Sequence, residues 1–134
     1  MQTPPVPSPA VPDKRELDAL ADLVQGAVLG YDVDAEGRAL LVYASPGCTD
    51  LWGLTAEAML ADEAAIWLMA PRDQRRMLRN AFLEGHRHLR PWAHEWRIHN
   101  ARGENRWLRG MGKPRTLAEG RVRWTVFVND VTDS

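Results

Sequence analysis

Apolar positions along the chain switch between a helical period and a strand period, and the switches lay out its elements. Leu17, Leu20, Ala21 and Val24 recur at i, i+3, i+4 and i+7, the stripe of a short helix. Asp13 and Glu16 stand three apart at its start, a capping-box pattern that satisfies free N–H groups of the first turn, and Gly26 ends it. Residues 27–33 and 39–44 then read as two strands. Asp34-Ala35-Glu36-Gly37 joins them, a polar connection with glycine where a hairpin needs positive φ. Ser45-Pro46 breaks the second strand and opens a helical turn through Leu51-Trp52, which Gly53 closes. Thr55 caps a second short helix through Ala56, Glu57, Met59 and Leu60, and the apolar stretch from Ala64 to Met69 reads as buried. Pro71-Arg72-Asp73 precedes the longest helix. Asp73 is its expected cap, Met77, Leu78, Ala81 and Phe82 its expected buried stripe, and Gly85 its expected end.

Three strands follow. Trp92, His94, Trp96 and Ile98 alternate with Ala93, Glu95, Arg97 and His99; Asn100-Ala101-Arg102-Gly103 makes a turn, and Arg106 to Arg109 resumes the extended pattern. A loop from Lys113 to Gly120 leads to a last strand over 122–131, where Val122, Trp124, Val126 and Val128 share one face. Strands that bracket a helical block predict an α+β domain with its helices grouped on one face of a sheet. The expected organisation is a proline-rich tail or linker over 1–12, a flanking helix over 13–25 and one domain over 26–134.

Composition narrows the function classes. With 45% hydrophobic and 26% charged residues among 134, the chain is an ordinary globular domain. Its net charge of -1 gives no electrostatic case for nucleic acid. The arginines at 72, 75, 76 and 79, and those from Arg102 to Arg109, read as solvated faces interrupted by apolar residues. A single cysteine, Cys48, excludes an internal disulfide and reads as a small buried hydrophobe. No apolar run approaches the roughly 18 residues of a membrane span, and the first residues lack the features of a signal peptide. The expectation is a cytoplasmic chain with no membrane contact through this segment. His86, His88, His94 and His99 show no metal-ligand spacing, so no metal site is expected. There is neither a paired-carboxylate site nor a phosphate loop, and no residue is assigned a catalytic role. The six tryptophans read as core and sheet-surface residues, with a stacked planar ligand or a dimer interface as the other readings.

Four stretches in order resemble the PAS family, chiefly its bacterial branch in sensor kinases and cyclic-dinucleotide enzymes. They are Tyr43, Ser45 and Pro46 with Gly53 and Thr55; Trp67 with Pro71 and Asp73; Glu95-Trp96-Arg97-Ile98, Gly103 and Arg106-Trp107-Leu108; and the terminal Asp130-Val131-Thr132. The resemblance covers roughly Val24 to Thr132. It implies a five-stranded antiparallel sheet of order 2-1-5-4-3, with helices packed on one face and an N-terminal flanking helix. It also implies a regulatory rather than enzymatic role, in which a ligand or partner is sensed between sheet and helices. Tyr43, Trp52, Trp67, Met77, Phe82, Trp96, Trp107, Trp124 and Val126 are then pocket candidates, and Asp130 and Thr132 relay candidates at the strand end. Leu17, Leu20 and Val24 are candidates for a homodimer interface. A histidine kinase or diguanylate cyclase effector would follow Ser134 in a longer parent, or a partner protein would take the signal. Ala70 and Arg72 replace residues common beside the proline, and Val126 and Trp124, if inward, fill cavity volume. The cofactor is left unknown, because no motif specifies flavin or haem; His86 and His88 read as solvated at a helix end. The alternative is a small α+β enzyme or carrier with a cone-shaped pocket, as in the NTF2-like group, whose long helices usually precede the strands.

Overall fold

The computed structural model describes residues 15–16 and 26–133. The expected helix over 13–25, with Leu17, Leu20 and Val24, lies outside the described residues except for Arg15 and Glu16. Five strands, β1 (Ala27–Val33), β2 (Ala39–Ala44), β3 (Trp92–His99), β4 (Asn105–Thr116) and β5 (Val122–Asp130), form one antiparallel sheet of order β2-β1-β5-β4-β3. Four helices come between β2 and β3: α1 (Cys48–Trp52), α2 (Ala56–Ala61), α3 (Ala64–Leu68) and α4 (Arg72–His88). The first and last strands pair at the centre, from Ala27 opposite Val128 to Val33 opposite Val122. Each strand alternates, and the inner face carries Leu29, Val33, Ile98, Leu108, Trp124 and Val128 into a core shared with Trp52, Met59, Ile66 and Leu78. Each such side chain contributes about 1.5–3 kcal/mol by leaving water. This is the expected sheet order, with two strands before the helical block as the PAS resemblance implies and the NTF2-like alternative does not.

Short-range signals set several helix ends as read from the sequence. The Thr55 hydroxyl accepts the Ala58 N–H at 3.1 Å, and Gly53 (φ 75°) closes α1 by donating to the Thr49 carbonyl at 2.9 Å. Helix α4 departs from expectation at both ends. Pro71, extended at ψ 156°, occupies the N-cap position, so Arg72 opens the helix and Asp73 sits in the first turn, favourable toward the helix dipole but not a cap. Gly85 does not stop the helix. It is buried inside α4, where a Cβ would come within 3.1 Å of the Trp92 ring. The helix ends instead at Leu89, in the left-handed region at φ 49°, with the Arg90 N–H returning to the Gly85 carbonyl at 3.0 Å.

Strand β4 also runs on through the segment read as the start of a loop. Gly110 and Gly112 keep it extended for a packing reason: a Cβ at either would fall within 2.9 Å of Trp96 or 2.7 Å of Trp92. Pro114 is tolerated because of strand parity. The Trp107 carbonyl accepts the Val131 N–H at 2.8 Å, so odd-numbered residues of β4 face β5 and even-numbered ones face β3. Pairing with β3 stops at Gly112, and at 114 no ladder partner waits on that side.

Candidate functional site

A cavity of about 120 Å³ lies between the inner face of the sheet and the helices. Its floor follows one cross-strand row: Leu29 pairs with Val126, Val126 with Gly112, and Gly112 with Trp92. Paired residues point to the same face, so Leu29, Val126 and Trp92 line the same space. Trp52 of α1, Ile66 and Trp67 of α3, and Leu78 and Phe82 of α4 form the opposite wall. Trp96 and Val128 complete the β3–β5 side, and Tyr31, Ala39, Glu63 and Ala70 the remainder.

Polar groups in this lining are few. Glu63, just before α3, accepts the Leu41 backbone N–H at 2.7 Å and so ties the helical layer to β2. Burial, reinforced by the negative charge of Glu63, raises the Tyr31 phenol well above its ordinary pKa, which keeps its hydroxyl protonated and a donor. The buried Nε1 of Trp92 and Nε2 of His94 have no hydrogen-bond partner among the described residues. Trp124, another large indole of the inner face, is fully buried and donates to Nδ1 of His86 at 3.0 Å. His86 in turn stacks on Phe82, with centroids 5.9 Å apart. His86 is therefore a half-buried structural acceptor, not the solvated helix-end residue expected; His88, by contrast, is exposed and pairs with Glu84 at 3.1 Å.

Five of the pocket candidates, Trp52, Trp67, Phe82, Trp96 and Val126, line the cavity. Four do not. Tyr43 pairs with Gly30 on the opposite face of the sheet from Leu29 and Tyr31. Trp107 also faces outward and is 43% exposed. Met77 is 51% exposed, because it lies roughly 100° around α4 from Leu78, which faces the sheet. Trp124 is inward but belongs to the core packing with Phe82, 5.5 Å between centroids, rather than to the lining. Among the residues missed, Trp92 was visible in its strand alternation with Trp96. Glu63 carried no sequence signal, since it comes to the site through a helix start.

The cavity lies below the roughly 300–1,000 Å³ of pockets that bury drug-sized ligands. The space in this conformation is smaller than an isoalloxazine or a tetrapyrrole ring system. Burial pushes the Cys48 thiol up to about 12, against hydrogen bonding with Ser45, which makes it inert near neutral pH. Among the described residues no three His, Cys, Asp or Glu side chains are grouped to hold a metal ion. No helix there is long and apolar enough to cross a membrane.

The terminal signature is wired into the fold. Asp130 accepts the Thr132 N–H at 2.8 Å and is ion-paired with Arg106, while the Thr132 hydroxyl accepts the Trp107 N–H at 3.0 Å. Partial burial works against the Asp130 carboxylate, but the bonds from Thr132 and Arg106 outweigh it and hold its pKa below the ordinary value. Arg106 also bonds Glu104 at 3.0 Å, and Glu104 receives Asn100 at 3.1 Å and Arg102 at 3.0 Å. Asn100, buried in the β3–β4 turn, donates to the carbonyl of Leu51, and the Ala101 N–H donates to that of Trp52 at 3.0 Å. A continuous polar chain thus runs from Thr132 to α1, which supplies Trp52 to the cavity wall.

The comparisons agree with this architecture. The PAS domain of a protein from Colwellia psychrerythraea superposes with a TM-score of 0.69 at 17% identity, over 91% of this chain and 100% of that one. The N-terminal domain of a diguanylate cyclase with PAS/PAC sensor from Marinobacter aquaeolei gives 0.61 at 13% identity, over 78% and 95%. A sensory box histidine kinase/response regulator from Burkholderia thailandensis gives 0.59 at 20%, over 86% and 84%. At these identities the likeness is one of fold. No curated protein sequence matches the chain. A family model described as the PAS fold matches residues 41–129, more than half of the sequence. Sheet order, helical cover and family match together make this chain a member of the PAS-fold family.

Proposed function

We propose that the chain is a sensory, non-catalytic module that binds a small molecule in the cavity and passes its occupancy to an effector through Asp130 and Thr132. One observation carries this reading: the α1 wall of the cavity and the terminal signature belong to a single hydrogen-bonded chain through Asn100, Glu104 and Arg106. A ligand that displaces Trp52 changes the backbone carbonyls that Asn100 and Ala101 hold, and so loads the β3–β4 turn. The effector is of the histidine kinase or diguanylate cyclase class, the kinds of protein in which the Burkholderia and Marinobacter neighbours occur. By the same analogy we place it in a bacterial, cytoplasmic setting.

The outer face of the sheet supports a homodimer. Val28, Phe127, Met111 and Ala93 form one apolar cross-strand row, while the adjacent row carries Asn129, Arg109 and Glu95. An apolar line with a charged border is the anatomy of a subunit interface. Leu17, Leu20 and Val24 are proposed to add to this interface.

Native mass spectrometry of the purified chain, with a thermal-shift screen of low-mass compounds, tests the sensory reading. A bound or stabilising molecule is expected for the wild type and is expected to be lost in Ala70→Leu, which fills the cavity. A screen without any stabilising compound argues for a ligand-free interaction module instead.

A further inference from the structure

The side chains around the cavity carry one charge, and it is negative. Glu63 lines the space, and among the described residues no lysine, arginine or histidine does. A carboxylate beside apolar walls normally has a cation or a full set of donors, because a charge loses hydration there. Glu63 has neither. Its Oε2 accepts the Leu41 N–H at 2.7 Å, while its Oε1 has no hydrogen-bond or ion-pair partner among the described residues. The Tyr31 hydroxyl, also in the lining, has no partner there either. Both residues are half-buried, and neither oxygen is sealed in: the buried side-chain polar atoms without a partner belong to Trp92 and His94. The two groups belong together. Leu41, which Glu63 holds, is the cross-strand partner of Tyr31, and the charge of Glu63 acts on the Tyr31 phenol. With Ala39 they mark the β2 end of the cavity.

The aromatic content of the lining points the same way. Trp67 stands four residues after Glu63, so the two share a side of α3 and both reach the cavity. Trp52, Phe82 and Trp96 add further rings. Aromatic faces attract a cation, more strongly where water is excluded. A volume of about 120 Å³ is comparable to the roughly 150 Å³ engineered cavity that holds one benzene ring, which sets the size of the apolar body. Resting on the reading of this cavity as the ligand site, we propose that it takes a small organic cation, a protonated amine on an apolar body of about one ring. The ammonium group sits at the β2 end, donating to Oε1 of Glu63 and to the Tyr31 hydroxyl oxygen, and the body lies among Trp52, Trp67 and Phe82. An anion of the same size meets Glu63 as a like charge and is refused.

Benzylamine, benzyl alcohol and benzoate share a ring and differ in charge. Each is titrated at pH 7.5, where an alkylamine is protonated, into isotope-labelled full-length chain, with backbone amides and tryptophan indoles followed by NMR. Benzylamine is expected to bind about tenfold more tightly than benzyl alcohol, the worth of one charge-assisted hydrogen bond, and benzoate to bind most weakly. Glu63→Gln keeps an acceptor for the Leu41 N–H and removes the charge, so amine and alcohol are expected to bind it alike. Should that variant not fold, the order of the three probes in the wild type decides alone. Equal affinities of amine and alcohol in the wild type, or an amine preference that survives in Glu63→Gln, overturn the cation assignment and leave the cavity as a ligand site. If no probe binds while the thermal-shift screen yields another stabilising compound, the cation class falls by itself. If neither yields a ligand, the sensory reading falls with it.

Discussion

The glycines of β4 matter because of what stands over them. Gly112 gives its absent side chain's volume to the nitrogen edge of Trp92, and Gly110 does the same for Trp96. Substitution Gly112→Ala forces the Trp92 ring to move, although Gly85 and Gly110 already confine it. Overpacking of this kind costs about 1–3 kcal/mol. Chemical denaturation should therefore show Gly112→Ala destabilised by about that amount, whereas Lys113→Ala, exposed on the opposite face, stays within about 0.5 kcal/mol of wild type. Equal stability of the two variants would mean that the ring is not confined as described. The three seats explain why Gly85, which reads from sequence as a helix end, and Gly110 and Gly112 all lie inside regular elements.

At the scale of elements, the β3–β4 turn joins the sheet to α1. Its acidic centre, Glu104, has its pKa lowered to about 2 by hydrogen bonds from Asn100, Arg106 and Arg102, from an ordinary 4.5. Asp130 and Asp32, the latter hydrogen-bonded to Arg123, are also held below 3.8. Carboxylates with lowered folded-state values stabilise fully above their unfolded values, and that stabilisation is lost as pH falls through the folded ones. The melting temperature should thus hold steady down to about pH 5 and fall between pH 4.5 and about 2. In Glu104→Gln the fall should be shallower; an unchanged acid profile would show that this network does not contribute. Much of the element order was legible because strand alternation and caps such as Thr55 are local. The ends of α4 and β4 were not: the Trp92 ring packs over Gly85 and Gly112, and Pro71 takes the cap position that Asp73 was expected to hold. For the same reason the pocket reading found Trp52, Trp67, Phe82, Trp96 and Val126 but also included Tyr43 and Trp107. Alternation gives a shared face without saying which face is covered, and the bulge between Gly30 and Tyr31 shifts the register of β2.

On the scale of the whole molecule, the sheet separates two surfaces. The inner one borders a largely apolar cavity under the helices. The outer one carries an apolar row suited to a second copy. Asp130 and Thr132, at the end of β5, connect to the inner surface through the β3–β4 turn and α1. The central claim is that occupancy of the cavity is felt at Thr132. Backbone NMR of the chain titrated with a compound that stabilises it in the thermal-shift screen tests it most directly, in wild type and in Glu104→Ala, which cuts the polar chain at its middle. The account predicts that amide signals of Trp52, Asn100, Trp107 and Thr132 all shift in wild type, and that Glu104→Ala keeps the response at Trp52 but loses it at Trp107 and Thr132. Shifts confined to the cavity walls in wild type, or a Thr132 response that survives Glu104→Ala unchanged, would contradict it.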